Sequence, residues 1–306
     1  MASSAPRFNK KSHHYIAQFW LRYFADPNGQ LWKLQDAQVR PTSTAKVMAE
    51  DWLYTEFDVW WRPGDGVEDY LSSRETEAAQ LFATLGAVPG VPTLDQWSAL
   101  NYWLALTACR HPLLMRRGHQ RAKELAYNLA DFSSFSTEAA FAKHMEERYG
   151  KGLPANLYDA VAAKGDEALL MEAEEVERLS PQDPRLPMLL ALSGVREVAM
   201  RISAMDLRLY DAPPGKTFVL GDTPVALSGL SAGFATPLSA RLAFVAWPGA
   251  GDGTSILDRI EANEAIVDVI NRDQVERAAS VVVGPDPAIL KALKGEARNT
   301  GPKPRN

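Results

Sequence analysis

HHYIAQFWLRYFA, residues 13–25, sets two of the chain's five histidines beside a run of aromatic side chains. How this stretch folds decides what the rest of the chain must cover. Wound as a helix it has three stripes at a spacing of four residues. His14, Gln18 and Arg22 form a polar stripe, Ile16, Trp20 and Phe24 an apolar one, and Tyr15, Phe19 and Tyr23 an amphipathic one. Ser12 stands at the N-cap position, and Asp26-Pro27-Asn28-Gly29 supplies turn chemistry that stops the helix. A polar stripe between two aromatic ones is either the wet side of an amphipathic helix or the lining of a cleft, and periodicity alone leaves both open.

The chain has 306 residues, enough for one large domain or two modest ones. Hydrophobic residues make up 46% and charged residues 23%, the balance of a soluble globular protein. No apolar run reaches membrane-spanning length, and MASSAPRFNKKSHH has no apolar segment of the secretory kind. The single Cys109 precludes an internal disulfide. These features lead us to expect a cytoplasmic protein that makes no membrane contact. A net charge of −5 gives no long-range attraction for nucleic acid. Basic clusters at residues 7–11, 116–123 and 291–305 keep local nucleic-acid contact open without favouring it.

Outward from the opening stretch, residues 1–11 read as a flexible arm. QLWKLQ, residues 30–35, alternates with period two, as a half-buried strand does. Trp60, Trp61, Pro63 and Gly64 mark a connection. A helix is expected from Gly66 to about Leu85, with Glu75 near its apolar side. Thr93 opens the next with a capping arrangement. That helix is apolar nearly all round to Cys109, which makes it central, and Pro112 ends it. Arg110 then lies at the end of a buried helix and needs a partner, for which Glu75 is a candidate. Further helices are expected over residues 114–130, 137–149, 166–179 and 186–205. LRLYDAP, KTFVLGD and RLAFVAW are β-rich, residues 255–279 read as helix broken near Asn271, and SVVVG as a last strand. The fold expected is α+β: predominantly helical, with a small, mostly antiparallel sheet in the C-terminal third and a short N-terminal strand. Residues 12–293 form a single domain, helical over about 12–205 and sheet-containing over about 206–293, and residues 294–306 a disordered tail.

Phosphate loops, nucleophile elbows, HExxH and structural zinc patterns are absent. Cys109 reads as a buried, inert thiol. His13 and His14 can serve as base or ligands, both in one site only where the backbone is extended. Asp222, in GDTPV after KTFVL, is either a functional carboxylate at a strand end or a turn-former bonded to backbone amides. His111 and His119 read as surface or capping residues and His144 as exposed.

HHYIAQFWLRYFADPNGQLWKL, KVMAEDWLYTE with Tyr54, VEDYLSSRETEAA with Glu68 and Glu75, CRHP with Arg110 and Pro112, FVLGDTPVAL with Asp222, ATPLSARLAFVAW and VDVINRDQVERAAS with Asn271 occur in this order. Together they resemble the domain-of-unknown-function family 4238 of bacteria and fungi over residues 12–283. Ala17 stands where the family has proline, Gly221 where it has serine, and Trp20 and Tyr23 also depart from the usual residues. A proline at residue 17 would suit the first turn of a helix and leave His13 and His14 upstream in extended chain. The resemblance implies no activity.

The polar residues at the resembling positions come from distant parts of the chain and sit in apolar sequence, so some must converge. The leading expectation is a hydrolase-like enzyme acting on a phosphorylated or acyl small molecule, a nuclease being one version. His14, Glu75 and Asp222 would be catalytic, and Gln18, Arg22, Arg110 and Asn271 would bind substrate. A divalent metal is a possible cofactor, held by His13, His14 and Asp222. A non-catalytic binding or interaction module built on the same ion network and a tailoring enzyme with an aromatic-rich pocket are the alternatives.

Overall fold

The computed structural model describes residues 12–51, 53–57, 63–114, 135, 137–149, 157–165, 167–171, 192–226, 229–249 and 256–299. The arm, Trp60-Trp61, all but the first residue of the helix expected over 114–130, residues 172–191 and residues 300–306 lie outside them.

The opening stretch is not one helix. Ser12–His14 is a strand (β1) paired antiparallel with Ala49–Asp51 (β4), and only Gln18–Arg22 is helical (α1). Ala17, extended at φ −53° and ψ 136°, takes the N-cap position expected for Ser12. The stripe through His14 is therefore broken by a change of backbone. A five-residue helix has too few internal bonds to persist alone. This one is held by burial of Trp20 and Leu21, by the Trp20 indole N–H donating to the Pro237 carbonyl at 3.1 Å, and by the Ala240 N–H donating to the Tyr23 carbonyl.

Two long helices carry α1. Gly66–Ala87 (α2) buries Val67, Leu71, Ala78, Phe82 and Leu85, a stripe at helical spacing in which Glu75 takes one turn. Leu94–Cys109 (α3) starts on a Thr93/Gln96 capping box and buries ten of its sixteen residues, which places it centrally as expected. Phe19, Trp20, Phe82 and Trp103 meet at centroid distances of 5.4–6.3 Å where the three helices come together. At about 1.5–3 kcal/mol per buried large side chain, these rings supply much of the local stabilisation. Val195–Ser203 packs along α3, with the Asn101 amide donating to Ser203 Oγ at 2.9 Å. Glu138–Tyr149 and Leu157–Ala162 form a satellite core around Phe141, Met145 and Val161.

The strands correct the expected layout, because β-structure is spread along the chain. Leu31–Gln35 (β2), Gln38–Thr42 (β3), Leu220–Gly221 (β8) and Val281–Gly284 (β12) form an antiparallel sheet in the order β3-β2-β12-β8. Asp206–Asp211 (β7), Phe234–Pro237 (β9), Leu242–Trp247 (β10) and Leu257–Glu261 (β11) form the other, in the order β11-β7-β10-β9, with β11 parallel to β7. A two-stranded pair, Glu56–Phe57 (β5) and Pro63–Gly64 (β6), completes the β-structure of the described residues.

Residues 257–261 are thus strand where helix was expected. Glu264–Arg277 (α4) runs unbroken through Asn271, because the apolar positions Val267 and Ile270 keep helical spacing across it. The final helix Pro287–Asn299 takes in residues assigned to the tail. Buried Leu290 and Leu293 explain this, since they pack with Val219 and Val282. No helix among the described residues is long and apolar enough to cross a membrane.

Candidate functional site

In β1, alternating side chains separate the two histidines. His13 is fully buried. Its ring stacks on Tyr54 at 5.6 Å, and its Nδ1 accepts the Tyr54 backbone N–H at 2.7 Å. His14 is half-buried on the other side, with Nε2 2.9 Å from the Thr44 carbonyl. A carbonyl only accepts, so Nε2 carries the proton, and the neutral ring leaves the Nδ1 lone pair open. Extended backbone thus sends the pair to different partners, against the expectation that it would let them share one site.

The 43–48 turn that presents Thr44 is itself strained. Buried Met48 has φ +56°, which costs a side-chain-bearing residue about 1–2 kcal/mol. Its carbonyl accepts the Tyr15 N–H at 3.1 Å, which fixes the turn against β1. Gln18 Nε2 donates to Thr44 Oγ1 at 3.4 Å, and exposed Arg22 donates to Gln18 Oε1 at 3.1 Å. The three residues of the expected stripe therefore adjoin one another through Thr44, although one helix does not carry them.

An ion pair lies near enough to His14 to bear on its charge. Arg110 Nη1 donates to Glu75 Oε1 at 2.7 Å, and the two side chains are 0% and 26% exposed. The guanidinium lies 5.1 Å from the Trp103 ring centre. Its Nε and Nη2 are buried without a hydrogen bond. Arg259 shows the contrast. It donates to both Asp211 oxygens and to the Leu85 and Val88 carbonyls, and so caps α2. Arg110 compensates its charge with one carboxylate and an aromatic face. Its donors are spoken for or sealed, so Arg22 is the guanidinium of the candidate set that solvent reaches.

Tyr54 was missing from the candidate site residues, although it stands in one of the resembling segments. It is fully buried, and its phenol donates to the Arg110 carbonyl at 2.9 Å. Burial raises this phenol far above its ordinary pKa, opposed by the Arg110 charge and reinforced by Glu68, Glu75 and Glu50. Tyr54 therefore ties the β1 histidine to the end of α3. At His14, burial is the largest influence and lowers the imidazole pKa. The Thr44 carbonyl and Glu75 raise it, and Arg110 lowers it. The balance favours neutral imidazole within the field of a carboxylate.

The late residues face elsewhere. Asp222 is 1% exposed. Its carboxylate accepts from the N–H groups of Ala279, Ser280 and Val281 and from Ser280 Oγ at 2.7–3.1 Å. Asn271 accepts the Val219 N–H and donates to the Thr217 carbonyl, and Gln274 does the same between Gly221 and Ala235. These amides from α4 supply the hydrogen bonds that the 217–221 segment lacks. Gly221 has a packing reason: a Cβ would lie 2.7 Å from the Gln274 carbonyl oxygen, so a serine does not fit this backbone. His111 is buried, contrary to its surface reading. Nδ1 accepts the Leu113 N–H, Nε2 donates to the Asp222 carbonyl at 2.9 Å, and the ring meets Tyr15 edge-on. His144 is half-buried against Phe135, and His119 lies outside the described residues.

His14, Gln18, Arg22, Glu75 and Arg110 are thus brought to one region, while the Asp222 and Asn271 side chains are spent on backbone. Among the described residues no three His, Cys, Asp or Glu side chains gather to hold a metal ion. His14 Nδ1 and Glu75 offer two donors of the kind a metal takes, fewer than the three or four protein ligands usual for zinc.

A family model described as "Protein of unknown function (DUF4238)" matches residues 12–287. No curated protein and no solved structure matches the chain.

Proposed function

The chain belongs to the DUF4238 family, and on that premise we propose that it is a hydrolase-like enzyme whose working group is His14. The observation that carries this reading is the His14 ring. One nitrogen is anchored on the Thr44 carbonyl, and the other is open in a half-buried position within the field of the Glu75 carboxylate. His13 and His111 each spend a ring nitrogen on a backbone N–H instead.

In this reading Nδ1 takes a proton from water as the oxygen attacks phosphorus or an acyl carbon and the leaving group departs with the bonding pair. The imidazolium formed is stabilised by Glu75, whose charge favours the protonated ring. Arg110 holds that carboxylate in place while keeping the resting imidazole neutral. Exposed Arg22, steadied by Gln18, is the anion clamp. Asp222 and Asn271 serve as scaffold.

The second reading is a non-catalytic binding module. It draws on the commitment of Arg110, Asp222 and Asn271 to groups of the protein itself.

The test is turnover of p-nitrophenyl phosphate, bis(p-nitrophenyl) phosphate and p-nitrophenyl acetate by the full chain. Turnover of at least one, lowered about 10²–10⁴-fold in folded His14→Ala, is expected. Wild-type rates in His14→Ala, or no turnover of the three, count for the binding module.

A further inference from the structure

On the outer side of Trp103, α2 and α3 diverge around a surface cavity of about 350 Å³, the size of a small-molecule site. Ala78, Leu81, Ala99 and Trp103 give it an apolar floor, and Tyr102 and Asp95 stand at its rim.

Charge selects the occupant. Of the charged side chains around the cavity, Arg74 is paired with Glu77 through one nitrogen, while its buried Nε has no hydrogen-bond partner. Its Nη1 donates to Glu77 at 2.9 Å, and its guanidinium lies 5.6 Å from the Tyr70 ring centre. Asp95 has no ion pair among the described residues. An uncommitted carboxylate beside two aromatic rings suits an ammonium group on an apolar body. A carboxylate or phosphate ligand would meet Asp95 and Glu77 as like charges.

We infer that this cavity binds a small primary amine carried on an aromatic or cycloaliphatic ring. The ring lies over Ala78, Ala99 and Trp103, and the ammonium reaches Asp95. The opposite role of Trp103, as the aromatic partner of Arg110, puts the amine site back to back with the Glu75–Arg110 pair. It requires no activity at His14.

The experiment titrates the full chain with phenethylamine, tyramine and cyclohexylmethylamine by calorimetry and ligand-observed NMR, with phenylacetate as the anionic control. Saturable binding of at least one amine is expected, with phenylacetate at least tenfold weaker. Asp95→Asn should weaken that amine by roughly tenfold or more, and Ala99→Trp should abolish its binding by filling the space. The proposal is overturned if none of the three amines saturates, if phenylacetate binds equally, or if folded Ala99→Trp binds as wild type does. The amine-against-acid comparison needs only the wild-type chain, so a variant that fails to fold does not leave the outcome open.

Discussion

Replacing Arg110 with methionine keeps the apolar stem and removes the charge near His14, and both stability and protonation should respond. Breaking a buried pair costs about 3–5 kcal/mol when the surviving charge stays dry. Glu75 is 26% exposed and regains part of its hydration, so we expect about 2–3 kcal/mol. Unfolding entropy near 2.1 cal/mol/K per residue over 306 residues gives about 0.64 kcal/mol/K, hence a Tm lower by about 3–5 °C. Arg110→Met with Glu75→Gln should recover about 1–2 kcal/mol, because no charge is then stranded. The protonation signs are opposite. Arg110 lowers and Glu75 raises the His14 pKa, so Arg110→Met moves it up and Glu75→Gln moves it down. Denaturant unfolding reads the first quantity. NMR titration of the His14 ring, assigned by its loss in His14→Gln, reads the second. Additive single-mutant costs, or displacement of His14 in the same direction by both variants, would refute the charge arrangement.

Asp222→Asn strands some of the donors from residues 279–281 that converge on the carboxylate, and we expect about 2–4 kcal/mol lost in denaturant unfolding. Full stability in that variant would return Asp222 to the list of functional groups. The depressed His14 pKa makes the unfolded chain the stronger proton binder. Stability should therefore fall as pH drops below 6.5 toward the folded value, and His14→Gln should flatten that part of a Tm-against-pH curve. Burial pushes the Cys109 thiol up to about 11, so a disulfide reagent at pH 8 should leave it unlabelled until denaturant is added. Gly221→Ala should lower Tm by several degrees, since its methyl meets the Gln274 carbonyl at 2.7 Å.

Helix α3 was legible in the sequence because its cap, its all-round apolarity and Pro112 point the same way. The Glu75–Arg110 pair was legible because a charge at the end of a buried helix must be answered. Periodicity failed at His14, because three residues of strand and five of helix can share a four-residue spacing that neither owns. It failed again at residues 257–261, which pair in parallel with β7, a contact that local pattern does not encode. Asp222 was singled out as a carboxylate at a strand end, yet turn-former and functional carboxylate look alike until the amides of residues 279–281 are placed around it. Tyr54 does its work through its hydroxyl and backbone N–H, and neither partner lies near it in sequence.

The place of β12 between β2 and β8 has a consequence for synthesis. Leu31–Gln35 emerges early with its β3 hairpin, yet one flank stays open until Val281–Gly284 follows some 250 residues later. During translation that flank is an exposed β-edge inviting pairing with a neighbouring nascent chain. Ribosome-bound fragments ending before residue 281 should therefore engage chaperones or aggregate, whereas longer ones can close the seam and become protease-resistant.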